Sequence, residues 1–324
     1  MKTAFVFPGQ GSQHVGMGKD LYEGFEEAKK IFDEASETLG YNVAELCFNG
    51  PEDELNKTVK TQPCILAVSI AALGVLMSKG ITAEAVSGHS LGEYAALVSS
   101  GVLPFRDALR VTEMRGKIMQ EAVPEGKGLM AAILGLGREK VDEVCASVKS
   151  GYVAAANYNC PGQIVISGER PAVEEAMALC KGAGAKRALP LSVSVPSHCR
   201  LMEDASKKLS EFLFLGDIRM DDPKIPVVGN ADAIFLTTVD GIKAALVKQI
   251  WIPVLWEDSI RAMKASGIDT FVEVGPGKAL SGLIKRIEPE AKVLNVEDRA
   301  SLEKTLCELR VQLVPKKVAS VRQR

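Results

Sequence analysis

The sequence predicts an α/β protein in which a small domain is inserted into a large one. Short apolar runs alternate with amphipathic stretches along most of the 324 residues, which is typical of parallel βαβ units. Between residues 126 and 196 the order of elements changes to β-α-β-β-α-β, the ferredoxin-like arrangement. We therefore expect a large parallel-sheet domain in residues 1–125 and 197–314, an inserted ferredoxin-like domain in 126–196, and a basic, disordered tail in 315–324.

The large domain begins with an apolar strand that enters a glycine-rich loop. This strand is Thr3–Phe7, and a second strand at Ala85–Gly88 leads into another glycine-containing turn. Apolar residues at helical spacing, opposite a charged face, predict a partly exposed helix over Phe105–Ala122. Further helices are predicted over Ala28–Leu39, Ile65–Met77, Leu91–Ser99, Leu201–Leu213, Val239–Gln249, Trp256–Ala265, Ala279–Ile287 and Leu302–Leu313, and further strands over Ile225–Val228, Thr270–Val274 and Lys292–Val296.

The inserted segment has its own sequence of strands and helices. Its second and third strands are expected to be joined by the turn-rich residues Asn157–Gly162. Its second helix has Pro171 at a first-turn position and Gly182 at its end, as helices commonly do. The predicted elements are strands over Leu129–Leu134, Tyr152–Ala156, Gln163–Ser167 and Arg187–Val195, and helices over Arg138–Ser150 and Pro171–Gly182.

Composition and charge exclude several classes of protein. The 39 basic and 41 acidic residues give a net charge of −2, so no strong field is available to attract nucleic acid or a membrane surface. The longest apolar stretch, Cys64–Met77, is shorter than the roughly 18–20 residues of a membrane span, which predicts a buried helix. Seven cysteines without a C-x-x-C pair predict neither disulfides nor a zinc site. The apolar run before Pro8 is too short for a signal peptide, so we expect a cytoplasmic protein.

The strongest local signal of chemistry is Gly88-His89-Ser90-Leu91-Gly92. A G-x-S-x-G turn between a strand and a helix is a nucleophile elbow, as in α/β-hydrolase-like domains, and it lifts the serine hydroxyl above the sheet. Small residues flank the serine because its backbone is strained and neighbouring chains approach closely. A plain glycine-rich turn is the alternative. The strand before the motif and the helix after it favour a nucleophilic Ser90.

A serine nucleophile needs a base, and the chain has three histidines. His89 adjoins Ser90 within the turn, where successive side chains diverge. His14 lies in a loop. His198 follows the inserted segment, at a domain junction of the kind where clefts form. The residues alone favour His198 over His14 only modestly, and a capping or surface role for His198 is the alternative.

Three further features are candidates for binding. The loop Phe7–Gln13 fits neither common nucleotide-binding pattern, but it can bring a backbone amide or the side chain of Gln10 near Ser90 to complete an oxyanion hole. Arg115 is a surface charge unless it faces the cleft, where its guanidinium could bind a carboxylate through two hydrogen bonds. Gly275-Pro276-Gly277 could cradle an anion, but proline has no N–H to donate, so a structural turn is favoured.

In combination, these motifs resemble those of the malonyl-CoA:acyl carrier protein transacylases of fatty-acid synthesis and of the acyltransferase domains of polyketide synthases. The resemblance covers nearly the whole chain, and several motifs in one order are far more specific than any one alone. The matched motifs are FVFPGQGSQ (5–13), TQP (61–63), GHSLGEYAAL (88–97), EMRG (113–116), NYNCPGQIVISG (157–168), SVPSH (194–198), GN (229–230) and FVEVGPG (271–277).

The resemblance implies a role for each matched residue. Ser90 would carry the acyl group, and His198 would be its base, oriented by a backbone carbonyl near Gln249, which matches that site, in place of an acidic side chain. Gln10 and the backbone N–H of Leu91 would hold the oxyanion. The residues implied to bind substrate are Arg115, for the malonyl carboxylate, and Gln62, Asn159 and Asn230, which would line the pocket.

The implied reaction moves a malonyl group from malonyl-CoA to the phosphopantetheine thiol of acyl carrier protein, for fatty-acid elongation, through a seryl ester with ping-pong kinetics. No cofactor or metal is implied, and a monomer is expected. The candidates for the surface that binds the acidic carrier protein are Lys186, Arg187, Lys285 and Arg286. Two alternatives stay open: a serine esterase or thioesterase with water as acceptor, and a non-catalytic α/β protein that binds an anion.

Overall fold

Two β-sheets organise the chain in the computed structural model, which describes residues 2–124, 126–191 and 195–313. The strands of these residues are Thr3–Phe7 (β1), Ala85–Gly88 (β2), Gly128–Leu134 (β3), Val153–Cys160 (β4), Gln163–Glu169 (β5), Arg187–Pro190 (β6), Val227–Val228 (β7), Phe235–Leu236 (β8), Thr270–Val274 (β9) and Lys292–Val296 (β10). The parallel sheet has the order β10-β9-β1-β2-β7-β8, and only its last pair is antiparallel. The antiparallel sheet has the order β4-β5-β3-β6.

Helices connect the strands and pack against both sheets. A short 3₁₀ turn, Arg200–Met202, comes directly before the tenth α-helix. The α-helices are Lys19–Gly24 (α1), Glu26–Leu39 (α2), Val43–Asn49 (α3), Glu52–Leu55 (α4), Thr58–Ser78 (α5), Gly92–Ser99 (α6), Phe105–Ala122 (α7), Arg138–Ser147 (α8), Arg170–Gly182 (α9), Glu203–Leu215 (α10), Val239–Gln249 (α11), Trp256–Ala265 (α12), Ala279–Ile287 (α13) and Arg299–Leu313 (α14).

The central strand of the parallel sheet, β1, is buried on both faces. Phe5 and Phe7 belong to one apolar cluster, whereas Ala4 and Val6 belong to a second cluster on the opposite face. Successive side chains of a strand point to opposite faces, so a strand covered on both sides is apolar throughout. The α/β class and the parallel sheet are therefore confirmed, and the uninterrupted run TAFVF is explained by burial on both faces.

The parallel register brings the ends of β1 and β2 side by side. Phe7 lies opposite Gly88, so the loops that follow the two strands leave the same edge of the sheet. Ligands of open α/β sheets bind at the carboxyl ends of the strands, where such loops diverge. This edge is where the glycine-rich loop after β1 and the turn that contains Ser90 meet.

Helix α5 is the most apolar helix of the large unit. By length and composition alone it could cross a membrane, but 83% of its most apolar window is buried inside the protein. It packs against α2 and α7, and most of its side chains are inaccessible to solvent. The prediction of a buried helix is confirmed, and the helix is longer than predicted because it begins at Thr58 and continues through Pro63.

The antiparallel sheet has a core of its own. Helices α8 and α9 pack against it, and apolar side chains such as Ile133, Ile166 and Val173 form a cluster separate from those of the parallel sheet. Its elements follow one another as β3-α8-β4-β5-α9-β6. The observed order is thus the one expected from the alternation of apolar runs in this segment.

The structure corrects several boundaries. The predicted loop Asn157–Gly162 is mostly strand, because β4 continues to Cys160 and the turn is Pro161-Gly162 alone. Irregular pairing with β5 and a bridge from Asn157 to Val254 outweigh the weak strand propensity of asparagine. Strand β6 ends at Pro190, and β7 is only two residues long. The predicted tail, 315–324, lies outside the described residues.

Candidate active site

The turn after β2 holds Ser90 in an unusual backbone conformation. Its φ is 52°, in the left-handed region that side chains other than glycine rarely adopt. The flanking glycines are required by close packing: a Cβ on Gly88 would lie 1.9 Å from the carbonyl carbon of Gly92, and a Cβ on Gly92 would lie 2.0 Å from the oxygen of Phe7. The strained serine is thus held by its surroundings, as is common at functional sites.

His198 lies beside this serine. Its Nε2 is 2.7 Å from Ser90 Oγ, and its Nδ1 is 2.8 Å from the carbonyl oxygen of Gln249. A carbonyl oxygen only accepts, so Nδ1 carries the proton and Nε2 is free to accept from the serine hydroxyl. The backbone of His198 is also in the left-handed region, with φ 60°, and its N–H donates to the carbonyl of Ile250 at 3.0 Å. Ser90 and His198, called the dyad below, are therefore both held in strained backbone conformations.

The imidazole of His198 is neutral at ordinary pH. Burial, and secondly the positive charge of Arg115, lowers the pKa of His198 to about 3. A charged imidazolium would be poorly solvated here and would face a guanidinium of the same sign. The Ser90–His198 pair therefore consists of a neutral hydroxyl and a neutral imidazole.

Arg115 is buried beside Ser90, with 1% of its surface exposed. Its Nη1 donates to Gln62 Oε1 at 2.8 Å, and its Nη2 donates to Gln249 Oε1 at 3.0 Å and to Ser90 Oγ at 3.2 Å. Among the described residues it forms no salt bridge, and its Nε has no hydrogen-bond partner. A buried positive charge that is neutralised by no carboxylate in contact is a strong site for a carboxylate ligand.

Two adjoining cavities open at this edge of the sheet. The smaller, about 90 Å³, contains Ser90, His198 and Arg115, and is far below the roughly 300 Å³ of a typical drug-sized site. The larger, about 440 Å³, shares Gln10 and His89 with it and extends to α13. Apart from the dyad and Arg115, the small cavity is lined by Gln10, His89, Met119, Met130, Asn157, Leu191, Val195 and Ser197. Its size suits a small acyl group, and the wider cavity leads towards the surface.

A family model described as an acyl transferase domain matches residues 4–302 of the chain. The malonyl CoA-acyl carrier protein transacylase of Bacillus subtilis is 48% identical over 304 residues, 93% of this chain and 95% of that one. This chain belongs to the malonyl CoA-acyl carrier protein transacylase family. The protein of that name from Escherichia coli K12 is 52% identical over 286 residues, 88% of this chain and 92% of that one. A solved complex of a type II polyketide-synthase acyl carrier protein with its malonyl-transacylase matches with a TM-score of 0.92 and 47% identity, over 95% of this chain and all of that one.

Of the three residues that the family resemblance expected to line the pocket, Asn159 lines the larger cavity, whereas Gln62 and Asn230 line neither cavity. Gln62 and Asn230 are fully buried behind the wall of the small cavity. Gln62 binds Arg115, while Asn230 accepts from the backbone N–H of Ser90 at 2.6 Å and donates to Gly88 at 2.7 Å. Both residues therefore hold other site residues in place.

Asn159 faces the larger cavity. Its Oδ1 is 2.8 Å from Nε2 of His89, and the ring of His89 packs edge-on against Trp256. Burial lowers the pKa of His89. The third histidine, His14, is exposed and contacts the carbonyl of Ser12. Of the three histidines, His198 alone contacts Ser90 Oγ among the described residues.

The two residues implied to bind an oxyanion both lie next to the serine. Gln10 lines the small cavity, and its side-chain amide donates to Thr58 Oγ1 at 3.2 Å, so its backbone N–H is the better placed donor. Leu91 is the residue before α6. The N–H groups of Gln10 and Leu91 have no protein acceptor within the described part of the chain. Free amides beside a serine Oγ are what an oxyanion hole requires.

Sequence reasoning missed several residues of this site, and four of them show why. Met119, Met130 and Asn157 line the small cavity, and Glu93 lies buried beneath the serine turn. Met119 lies in the amphipathic pattern of α7 and Met130 lies in a short apolar run, and neither pattern carries a sign of a cavity. Glu93 begins the segment EYAALV, where an acidic residue in the first turn of a helix is usual and predicts no special role.

Proposed function

We propose that this chain transfers the malonyl group of malonyl-CoA to the phosphopantetheine thiol of an acyl carrier protein, through an ester on Ser90, and so supplies fatty-acid elongation. The contact that carries the proposal is the buried Arg115 guanidinium, without a carboxylate partner, beside the Ser90–His198 dyad. A dyad alone fits any acyl donor. A dyad with a free buried cation fits a donor that carries a carboxylate, as a malonyl group does.

In the first half-reaction Ser90 Oγ attacks the thioester carbonyl while His198 Nε2 takes its proton. The C–O bond forms, the C–S bond breaks, and CoA leaves as its thiol with the proton returned from His198. The carbonyl of Gln249 accepts from Nδ1 and stabilises the imidazolium that forms in between. The backbone N–H groups of Gln10 and Leu91 bind the oxyanion, and losing one such donor typically costs about 10²–10³ in rate.

Malonate binding also changes the base. After burial, the charge of Arg115 is the largest cause that lowers the pKa of His198. A malonyl carboxylate paired with Arg115 cancels much of this charge, so the pKa of His198 rises when the correct donor is bound. The same pairing draws Nη2 away from Ser90 Oγ, whose lone pair it occupies in the free protein. The substrate thereby makes both members of the dyad more reactive.

In the second half-reaction the carrier thiol attacks the seryl ester, and the steps run in reverse. The solved relative in complex with an acyl carrier protein supports a carrier protein as the partner. Transfer is reversible because the thioester and the seryl ester differ modestly in energy. Water must be kept out of line with the ester, because it would otherwise hydrolyse the acyl group. No cofactor is used in this scheme, and malonyl-CoA, CoA and the carrier protein are its only partners.

We further propose the domain organisation that this function uses. The large unit, residues 1–125 and 197–314, is an α/β-hydrolase-like domain with a nucleophile elbow at Ser90, and residues 126–196 are an inserted ferredoxin-like domain. The separate apolar core of the antiparallel sheet and its order β4-β5-β3-β6 support this division. We propose that the protein acts as a cytoplasmic monomer, with the mostly buried α5 as part of its core.

The proposal is tested by mass spectrometry of the intact protein. Incubation with malonyl-CoA should add one malonyl mass, located on the peptide that contains Ser90, and addition of carrier protein should remove it to the carrier thiol. Ser90→Ala is the matched control and should gain no mass, since removing the nucleophile of such a site costs about 10⁶ in rate. Malonate release without carrier protein, at the rate of transfer, would instead identify a thioesterase.

A further inference from the structure

Glu93 is a buried acid that the proposed reaction leaves without a role. It lies three residues after Ser90, in the first turn of α6, and has no exposed surface. Burial raises the pKa of Glu93 to about 7. A buried carboxyl is costly unless its oxygens are hydrogen-bonded, so its partners indicate what it holds.

One oxygen of Glu93 contacts both supports of the dyad. Oε2 accepts from Gln249 Nε2 at 2.8 Å and from the backbone N–H of Asn230 at 3.1 Å. Gln249 supplies the carbonyl that orients His198, and Asn230 accepts from the backbone N–H of Ser90. The nucleophile and the base are 108 residues apart in the chain, and this oxygen lies between the residues that position them.

Glu93 is one of three groups that contact the Gln249 side-chain amide. The Oε1 of Gln249 accepts from Arg115, and its Nε2 donates to the carbonyl of Ser90 at 2.9 Å as well as to Glu93. All the hydrogen-bonding groups of this amide are therefore used. Without the acceptor on Glu93 one N–H would be unpaired in the interior, which is unfavourable and loosens the segment that carries the carbonyl.

We propose that Glu93 is a positioning residue for the acylation of Ser90: its Oε2 joins Gln249 to Asn230 and thereby keeps His198 aligned with the serine. The proposal rests on the transfer reaction proposed above only in taking Ser90 as the nucleophile. A displacement of about 1 Å at a reacting group can cost about 10²-fold in rate, so loss of the two hydrogen bonds to Glu93 Oε2 should have a measurable effect.

The two hydrogen bonds to Glu93 depend on the position of its Oε2 atom rather than on the charge of the carboxylate. The other oxygen, Oε1, has no hydrogen-bond partner among the described residues, so a proton there leaves both contacts of Oε2 intact. Glu93→Gln keeps an acceptor oxygen at the same reach without a charge. Glu93→Asp keeps the charge but withdraws the oxygen by about 1.5 Å, the length of one carbon–carbon bond. These two variants separate position from charge.

Glu273 provides a matched control. It is also fully buried, burial raises its pKa to about 7, and it accepts from the N–H groups of Leu280 and Ser281 at the start of α13. It contacts neither Ser90 nor His198 in the described structure. Glu273→Gln therefore reports what removing a buried charge does when the dyad is left alone.

The experiment measures the second-order rate at which a fluorophosphonate modifies Ser90, with the melting temperature of each variant recorded alongside. This reagent needs the dyad but neither malonyl-CoA nor carrier protein. We expect Glu93→Asp to lose about 10²-fold in rate, whereas Glu93→Gln loses less than about fivefold because a neutral oxygen still accepts both hydrogen bonds. Glu273→Gln should stay within about twofold of the unmodified protein, since surface and core changes away from the site leave positioning intact.

Equal rates for Glu93→Asp and Glu93→Gln would overturn the proposal, and so would a Glu93→Asp rate equal to that of Glu273→Gln. If Glu93→Asp does not fold, Glu93→Ala serves as the second shortened variant and should lose at least as much. Normal fluorophosphonate labelling without a malonyl adduct would contradict the transfer reaction while leaving the role of Glu93 standing. The two proposals therefore fail by different results.

Discussion

The parallel and antiparallel sheets contribute different things to the same cavity. The loops after β1 and β2 supply Gln10 and Ser90, and α7 of the same unit supplies Arg115, which donates to Gln249 outside the cavity lining. The antiparallel sheet and the segment just after it contribute Met130, Asn157 and Leu191 to the wall. The groups that react or carry charge thus come from one unit, and the apolar wall that shapes the acyl group comes largely from the other.

Backbone strain follows the same division. The non-glycine residues with a left-handed backbone in the described ranges are Ser90, His198 and Ala233, and none of them lies in the antiparallel sheet. Strain of this kind costs roughly 1–3 kcal/mol per residue and persists only where the surroundings enforce it. Two of these three strained residues, Ser90 and His198, are the pair that must be aligned, and both belong to the parallel-sheet unit. Changes in the two units should accordingly affect rate and selectivity differently.

The largest of these effects is expected for Arg115→Ala, a change in the reactive unit. Malonyl loading should fall by about 10⁴, since a site built to pair a polar group rejects a ligand it can no longer pair by that order. Acetyl loading should be unchanged or faster, because the pKa of His198 rises when one of its lowering causes is removed. The measurement is the rate of acyl-enzyme formation from each CoA ester.

Equal losses for malonyl and acetyl donors would contradict the assignment of Arg115 to the malonyl carboxylate. Arg115→Lys is the matched control: it keeps the charge but cannot keep the forked contacts to Gln62 and Gln249. It should therefore lie between Arg115→Ala and the unmodified protein for malonyl and close to the unmodified protein for acetyl.

A smaller effect separates the two walls of the cavity. Met130 of β3 is 5% exposed and lines the small cavity. Met130→Ala should raise loading of a methylmalonyl donor relative to malonyl by about tenfold, because the shorter side chain leaves room for the extra methyl group. Met119 of α7 lies on the reactive side, where its sulfur accepts from Gln62 at 3.7 Å. Met119→Ala should instead lower malonyl loading by about tenfold, because Gln62 and then Arg115 lose support.

Competition between the two CoA esters, read as the ratio of acyl-enzyme masses, checks this pair of variants. If both substitutions change selectivity alike, the proposed division is wrong, because both units would then contribute equally to the choice of acyl group. Each variant should also be less stable, by about 2–5 kcal/mol for truncation of a buried methionine, so loading is compared well below the melting temperature.

The smallest effect concerns pH. Burial and Arg115 lower the pKa of His198 to about 3, so the inactive, protonated imidazole accumulates only as the pH falls towards that value. The rate of Ser90 labelling by a fluorophosphonate should therefore change less than about twofold between about pH 8 and about pH 5. A labelling rate that falls with an ordinary histidine midpoint near pH 6.5 would contradict this. In Arg115→Ala the midpoint should move upward.

Much of the fold could be predicted from local pattern. The bounds of β1, β2, α7, α11 and α12 match the predicted ones, because each has a clear apolar period and clear ends. The predicted loop Asn157–Gly162 is wrong for its first four residues, because asparagines before a proline resemble a turn, whereas pairing with β5 holds residues 157–160 in a strand. Pairing with a neighbouring strand overrides the low strand propensity of individual residues, because that strand supplies the backbone hydrogen bonds.

The site could also be predicted in part, because some of its features are local in sequence and others depend on contacts between distant segments. The flanking glycines indicated Ser90, since only a residue without a Cβ fits so close to a crossing backbone. The residues alone favoured His198 over His14 only modestly, because a hydrogen bond across 108 residues leaves no trace in spacing, and the family resemblance made the assignment. Gln62 and Asn230 were matched as pocket residues, although they support Arg115 and Ser90 from behind.

Short-range chemistry in the chain was thus enough to identify the strands, the strained turn, its serine and the family. The family resemblance implied His198 and a carbonyl near Gln249, but only the folded arrangement brings these groups to Ser90 and shows that Arg115 and Glu93 lie buried close to Gln249. The physical reason is range. Turn geometry and apolar period act over a few neighbouring residues, whereas burial of charge and alignment of a dyad depend on groups that come together only when distant segments pack.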